Sequence, residues 1–383
     1  MSDFSLERIV RPNILALAPY RCARDDYSEG ILLDANENSY GPSLSDTSIS
    51  DLPNLERYPD PLHNEIKERL CLLRDLPSPK NLFLGVGSDE AIDLLVRIFC
   101  VPGKDKILVT PPTYGMYSVC AQVNDVGVVK VPLNLDDGKF QLQTDKVLES
   151  LEQNPDVKIV FLCSPGNPTG SLLAKEDVQK ILTFPGYQGI VIVDEAYIDF
   201  VETDKGSSTA PWVTKYPNLV VLQTLSKSFG LAGIRVGIAA STPEIIALMN
   251  NTKAPYNICS LSAQVALSAL QDSSIDLMKS RVQKVREERK KLIEKVVKIP
   301  GIGLVKGTND ANFVLVEVLD KENKVPCNER ATKIYTYLAE ERGIVIRLRC
   351  KEPGCLGCLR ITIGTPEENV KLLQELEEAL KLF

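Results

Sequence analysis

VKIVFLCSPGNPTG, residues 157–170, is apolar at every position of its first half except Lys158 and then breaks into a turn rich in proline and glycine. A strand with only one covered face alternates apolar and polar residues. One that is apolar on both faces must be sandwiched between two layers. Similar runs recur to either side: KILVT (106–110), VGVVKV (126–131), GIVIVDE (189–195), NLVVLQT (218–224) and IRVGIAA (234–240). Helical stretches separate them, as in consecutive βαβ units, so residues 51–270 are expected to form a large α/β domain whose mostly parallel central sheet lies between helices. A long helix over Ser274–Lys298, the run ANFVLVEV (311–318), a helix near Glu329–Arg342, the runs GIVIRLR and CLRITIG, and a final helix predict a smaller α+β domain over 271–383. Residues 1–50 are too irregular to fold alone and are expected to join that smaller domain.

Composition narrows the function. The 383 residues carry a net charge of −7, which argues against a nucleic-acid backbone as partner. The basic run VQKVREERKKLIEKVVK (282–298) alternates with glutamate at helical spacing and reads as a solvated surface helix. No apolar window is long enough for a membrane span, and the opening MSDFSLERIV has neither the basic start nor the apolar run of a secretion signal, so a cytoplasmic protein is expected. The ten cysteines then read as reduced. CLGC, with Cys350 nearby, resembles half of a zinc or redox site but lacks a second such pair, and no metal is expected. A single histidine, His63, is placed at a surface or helix-capping position; its solitude argues against histidine-based triads and leaves Lys, Tyr, Asp, Arg and an imported cofactor to carry the chemistry.

Those residues cluster in TLSKSFGLAGIR (224–235). Thr224 and Ser226 precede Lys227, and Arg235 follows; hydroxyls and a guanidinium suit a phosphate, and a lysine beside them could form an imine with a carbonyl on the same molecule. VIVDEAYIDF delivers Asp194 and Tyr197 at the carboxyl end of a buried strand, where a carboxylate needs a cationic partner, such as a protonated pyridine nitrogen. Tyr197 and Asn167, the latter in the turn after VKIVFL, could hydrogen-bond a ring phenolate. In LGVGSDEAIDLLVRIF (84–99), Ser88 and Asp89 open a helix whose free N–H groups suit a phosphate, provided that the Asp89 carboxylate faces elsewhere or pairs with a base. The missing third glycine weakens a dinucleotide reading there. Tyr114, past the end of KILVT, could stack on a planar ring.

NPTG, DEAY, SKSFGLAGIR and CLRITIG, in this order, resemble the fold-type I pyridoxal-phosphate aminotransferases of class II. More narrowly, PYRCARDD, LDANEN, RYPDP, PPTYGMYSV and GCLRITIGT resemble the histidinol-phosphate aminotransferases of histidine biosynthesis, over nearly the whole chain. The resemblance implies pyridoxal 5'-phosphate held as an imine on Lys227, which also shuttles the proton. Asp194 would keep the ring nitrogen protonated, Asn167 and Tyr197 would bind the phenolate, and Tyr114 would stack on the ring. Ser226, Arg235, Thr224 and the backbone of Ser88 and Asp89 would hold the phosphate, reached by Tyr58 of a neighbouring subunit in a homodimer with shared sites. Arg347 and Arg360 would grip the anionic ends of histidinol phosphate and of glutamate or 2-oxoglutarate, with Tyr20 and Asn36 lining the pocket. Nearest rivals are a phosphoamino-acid decarboxylase or an aromatic aminotransferase; a non-catalytic regulator lacks a spare DNA-binding domain.

Overall fold

The computed structural model describes residues 4–17 and 55–383. Short helices α1 (Leu6–Ile9) and α2 (Pro12–Leu15) lead to α3 (Asn64–Arg74). There follow β1 (Leu82–Val86), α4 (Gly87–Phe99), β2 (Lys106–Val109), α5 (Met116–Val123), β3 (Gly127–Lys130), α6 (Thr144–Gln153), β4 (Val157–Cys163), α7 (Lys175–Leu182), β5 (Ile190–Asp194), β6 (Leu219–Thr224), β7 (Val236–Ala240), α8 (Pro243–Thr252) and α9 (Ser260–Ala269). The strands form a seven-stranded sheet in the order β1-β7-β6-β5-β4-β2-β3. Its section from β6 to β3 is parallel, and β7 runs antiparallel to both of its neighbours.

Side-chain alternation explains why these runs are apolar throughout. In β4, Val160 and Leu162 enter one core while Ile159 and Phe161 enter the core on the opposite face; in β5, Val191 and Val193 oppose Ile190 and Ile192. The chain proceeds from β2 to β3 on one side and then returns to β4 on the other. This reversal opens a crevice at the carboxyl ends of β2 and β4, the place where open α/β sheets bind ligands.

Helix α10 (Asp272–Val296) leads into the second sheet, built from β8 (Ile302–Lys306), β9 (Phe313–Val318), β10 (Arg347–Leu348) and β11 (Cys358–Thr362), with α11 (Asn328–Glu340) and α12 (Pro366–Leu382) against it. Its order is β10-β11-β9-β8, antiparallel throughout. The run GIVIRLR yields only the two-residue β10, because it lies at the sheet edge and the Ile344 N–H turns to Leu338 O at 2.7 Å. No helix among the described residues is long and apolar enough to cross a membrane.

Three expectations need correction. Residues 4–17 dock on the large domain, not the small one: Ile9 and Val10 are buried in the core of α4 and α8, and the Arg11 N–H donates to Ile98 O at 3.1 Å. The surface face of α10 carries Lys284, Lys290 and Lys291, yet Arg286 and Arg289 turn inward and donate to the carbonyls of residues 199–201 and of Ala311, pinning the helix to the loop after β5. His63 occupies the N-cap position of α3, but its ring is buried and makes no capping bond; burial lowers its pKa.

Gly237 in β7 fixes the approach of β7 to the start of α4: an added Cβ would meet the Gly87 carbonyl carbon and the Ser88 nitrogen at 2.1 Å. Because backbone cannot yield as a side chain can, Gly237→Ala is expected to cost roughly 3 kcal/mol, read from the urea midpoint. Gly233→Ala, which meets nothing within 4 Å, should leave that midpoint nearly in place.

Candidate active site

A cavity of about 470 Å³ opens where the carboxyl ends of β4, β5 and β6 face β10 and β11. The sheet aims its contributions there by ending its strands. β5 ends at Asp194, β6 at Thr224, and the turn after β4 carries Asn167. Ser88 and Asp89 enter from the first turn of α4, Tyr114 from the loop after β2, and Tyr197, Ser226, Lys227 and Arg235 from the loops beyond β5 and β6. The small sheet supplies Arg347, Arg349 and Arg360.

Asp194 is buried, and among the described residues no lysine or arginine pairs with its carboxylate. Burial pushes its carboxyl up to about 6, against the opposing pull of hydrogen bonds from the Tyr117 hydroxyl, at 2.6 Å, and the Ala196 N–H, at 3.2 Å. The neighbouring Glu195 is fully engaged by Ser208, Thr209 and Gln223 and plays no part in the cavity. A buried carboxylate at the floor of an open cavity, with no cation paired to it among the described residues, suits a cationic group on a ligand.

Lys227 Nζ lies 5.7 Å from the centre of the Tyr197 ring. Burial, and next the charge of Arg360, lower its pKa, with Asp89 pulling the other way, so more of the amine is uncharged and nucleophilic. The loop that carries it is clamped from behind: the Ser228 hydroxyl donates to Asp199 at 2.6 Å, and Arg74 of α3 grips the same carboxylate through two bonds, at 2.7 and 3.0 Å.

On the phosphate-like side, Thr224 Oγ1 lies 2.9 Å from Ser226 Oγ and accepts the Ser226 N–H at 3.1 Å, turning that hydroxyl towards the cavity wall. Arg235 holds a left-handed backbone conformation, φ 55°, that brings its guanidinium over Gly87, where an added Cβ would meet Nη2 at 2.3 Å. The Asp89 carboxylate is paired, as the phosphate reading required, with Arg235 at 3.5 Å and the Tyr114 hydroxyl at 3.0 Å. The donor set of hydroxyls, N–H groups and one guanidinium matches a phosphate ester.

Arg360 links the two sheets. Its Nη1 donates at 2.5 Å to Asn167, and since a guanidinium only donates, the Asn167 oxygen must face it, leaving the amide NH2 free to donate elsewhere. Arg347 and Arg360 are direct partners across β10 and β11, which places both side chains on one face of the sheet. Of the other sequence-derived residues, Tyr58 lies outside this cavity, stacked on Tyr256 with ring centres 4.7 Å apart, and Tyr20 and Asn36 lie outside the described residues. Sequence reasoning missed Tyr117, Cys163 and Arg349. Arg349 follows Arg347 at strand spacing, a signal that was available; the contact of Tyr117 with a residue far along the chain left none.

Comparison with known proteins adds the following. The family profile of aminotransferase class I and II matches residues 28–376. The histidinol-phosphate aminotransferase of Candida maltosa is 49% identical, with 98% of each chain covered. The crystal structure of histidinol-phosphate aminotransferase from Clostridium acetobutylicum is 27% identical and superposes with a TM-score of 0.74 over 86% of this chain and 92% of that one. A histidinol-phosphate aminotransferase from Sinorhizobium meliloti, solved in complex with pyridoxal-5'-phosphate, shares the fold at a TM-score of 0.74 and 23% identity, covering 91% of this chain and 90% of that one.

The Tyr117 hydrogen bond lowers the Asp194 pKa, so its removal must raise it. In Tyr117→Phe the carboxyl midpoint, about 6 in the parent, is expected to move upward by roughly one unit, the equivalent of one lost hydrogen bond. Carbon-13 NMR titration of the cofactor-free protein measures it; an unchanged midpoint would show that this bond does not tune the carboxylate.

Proposed function

From the premise that this chain belongs to the class I and II aminotransferases, we propose that it uses pyridoxal 5'-phosphate on Lys227 to move an amino group from L-histidinol phosphate to 2-oxoglutarate, giving imidazole acetol phosphate and glutamate in histidine biosynthesis. One observation carries the reading: a lysine whose pKa is lowered and a buried carboxylate without a cation share one cavity whose opposite wall holds three guanidiniums.

The residues fit the cofactor by the chemistry of their donor set. Asp194 would take the ring nitrogen, its second oxygen occupied by Tyr117, and its negative charge favours the protonated ring. Asn167, with the NH2 that Arg360 leaves available, and Tyr197 would donate to the phenolate oxygen. Tyr114 would cover the ring face. Ser226, Thr224, Arg235 and the N–H groups at Ser88 and Asp89 would hold the phosphate. When bound, the cofactor supplies an aldehyde for the amine and a ring that accepts the electron pair left when the substrate carbon loses its proton.

The chain's own residues do the rest. As a free amine, Lys227 would take the proton from the substrate carbon and hold it on Nζ for return. Arg360 and Arg347 orient the anionic end of each substrate, so that a single site serves both halves of the exchange. Tyr58, exposed beside Tyr256, would reach the phosphate of a second copy, which makes the working unit a homodimer with shared sites, in the cytoplasm.

Lys227→Ala should bind the cofactor without the covalent link, lose the corresponding visible absorbance and lower amino transfer by at least about 10³-fold. Full activity with histidinol phosphate in that variant would end the assignment. Arg360→Ala should keep the visible band and raise KM for both donors about 10- to 100-fold. A change confined to one donor would show that the arginine does not serve both.

A further inference from the structure

The wall opposite Lys227 holds one guanidinium more than a carboxylate needs. Alternation along β10 puts Leu348 into the small-domain core and turns Arg347 and Arg349 to the other face, beside Arg360 of the neighbouring strand. The Arg349 N–H donates to Cys358 O at 2.9 Å, which continues the ladder and fixes the direction of its side chain. The only acidic partner that Arg349 has among the described residues is Glu352, at 2.9 Å, in the loop that joins the two strands. Both side chains are largely buried, 22% and 25% exposed, and among the described residues Arg349 Nε, Glu352 Oε2 and Arg360 Nε find no hydrogen-bond partner. Burial raises the Glu352 carboxyl against the pull of Arg349, and Arg349 and Arg347 both add to the burial that lowers Arg360. Among the described residues the cluster is therefore under-neutralised and suits an anion.

The two amino donors differ in how their negative charge is distributed. Histidinol phosphate concentrates it on one phosphate, close to a dianion at neutral pH, whereas glutamate spreads it over two separate carboxylates. Three guanidiniums and one carboxylate amount to two net positive charges on one wall, matched to the phosphate.

We infer that Arg349, restrained by Glu352, is the residue that discriminates a phosphate monoester from a carboxylate at the anionic end of the amino donor. The inference rests on the function proposed above and concerns a residue outside the Arg347 and Arg360 pair. With a phosphate present, Arg349 adds charge-assisted hydrogen bonds to it; with a carboxylate, it stays on Glu352.

The test uses holoenzyme and follows loss of the visible band in single-turnover half-reactions with histidinol phosphate and with glutamate, with inorganic phosphate as a competitor of the glutamate reaction. In Arg349→Gln, apparent affinity for histidinol phosphate should fall about 10- to 100-fold with the limiting rate within about 3-fold. Affinity for glutamate should change by less than about 3-fold, and inhibition by phosphate should weaken at least about 10-fold. Glu352→Gln should move phosphate inhibition in the opposite direction, a gain that a misfolded loop cannot produce. Equal weakening of both donors, or phosphate inhibition indifferent to Arg349, would overturn the inference and leave the residue as a loop brace. Should the parent enzyme fail to react with histidinol phosphate while phosphate inhibition still depends on Arg349, the substrate assignment falls and the anion receptor stands.

Discussion

The interaction on which the site depends is one that the described residues leave open: the carboxylate of Asp194, buried at the end of β5 with no lysine or arginine paired to it among them. Its rise from the ordinary 3.8 to about 6 amounts to roughly 3 kcal/mol of destabilisation of the charged form. The sign is that of a carboxyl raised in the folded state. The folded chain binds its proton more tightly than the unfolded chain does, and this contribution to stability is lost as pH rises from about 4 through 6. At neutral pH the cofactor-free protein therefore carries a charge that burial disfavours, and a cation on a bound ligand would relieve it. Tyr117 and the Ala196 N–H hold the oxygens in place without neutralising them, so the carboxylate is oriented but still in need of a partner.

Geometry around that carboxylate is set by two constraints from opposite sides. From the large sheet, Gly237 lets β7 lie against the first turn of α4, and Gly87 makes room for the Arg235 guanidinium. From the small sheet, the segment between β10 and β11 anchors the arginines: Cys355 and Cys358 are buried in the core of the large domain while Cys350 belongs to the core of the small one. Gly354 leaves just enough space for Phe140 and Leu135, which a Cβ would approach to 2.9 and 3.0 Å. The loop thus acts as a plug between two hydrophobic cores, and the register Arg347 opposite Arg360 is delivered to the cavity by apolar burial on either side of it.

Much of this was legible in the sequence, because strands covered on both faces are apolar throughout and the turns that end them carry the polar residues. VKIVFLC, GIVIVDE and NLVVLQT place Asn167, Asp194 and Lys227 at or just past strand ends from the sequence, and the observed sheet order makes those strands neighbours. What stayed hidden depends on contacts distant along the chain. Nothing near Tyr117 in the sequence announces Asp194. The inward turn of Arg286 follows from carbonyls left over in a loop 87 residues upstream, and that of Arg289 from the Ala311 carbonyl 22 residues downstream, both invisible to a charge pattern that reads the helix as solvated. CLGC with Cys350 resembles half of a metal or redox site because cysteine spacing reports ligand potential but not burial, and Cys350, Cys355 and Cys358 are buried in the apolar cores. Residues 4–17 offered too little periodicity to show which core they would join, and Ile9 with Val10 settles it by packing against α4 and α8.

The two ends of the cavity are coupled electrostatically, and this gives the arginine wall a second consequence. After burial, Arg360 is the largest influence that lowers the Lys227 pKa, so in the cofactor-free protein the guanidinium that faces the cavity also disfavours the charged lysine amine. A nucleophile and base must be uncharged to begin its work, and the field of Arg360 favours that form. An anion seated on the guanidinium would cancel part of the field and raise the proton affinity of Lys227, the direction that the proton transfer proposed for it requires. Under the proposed function, anion binding at Arg360 and proton affinity at Lys227 would be linked through one charge, and Asp89 and Asp194 also raise the lysine pKa.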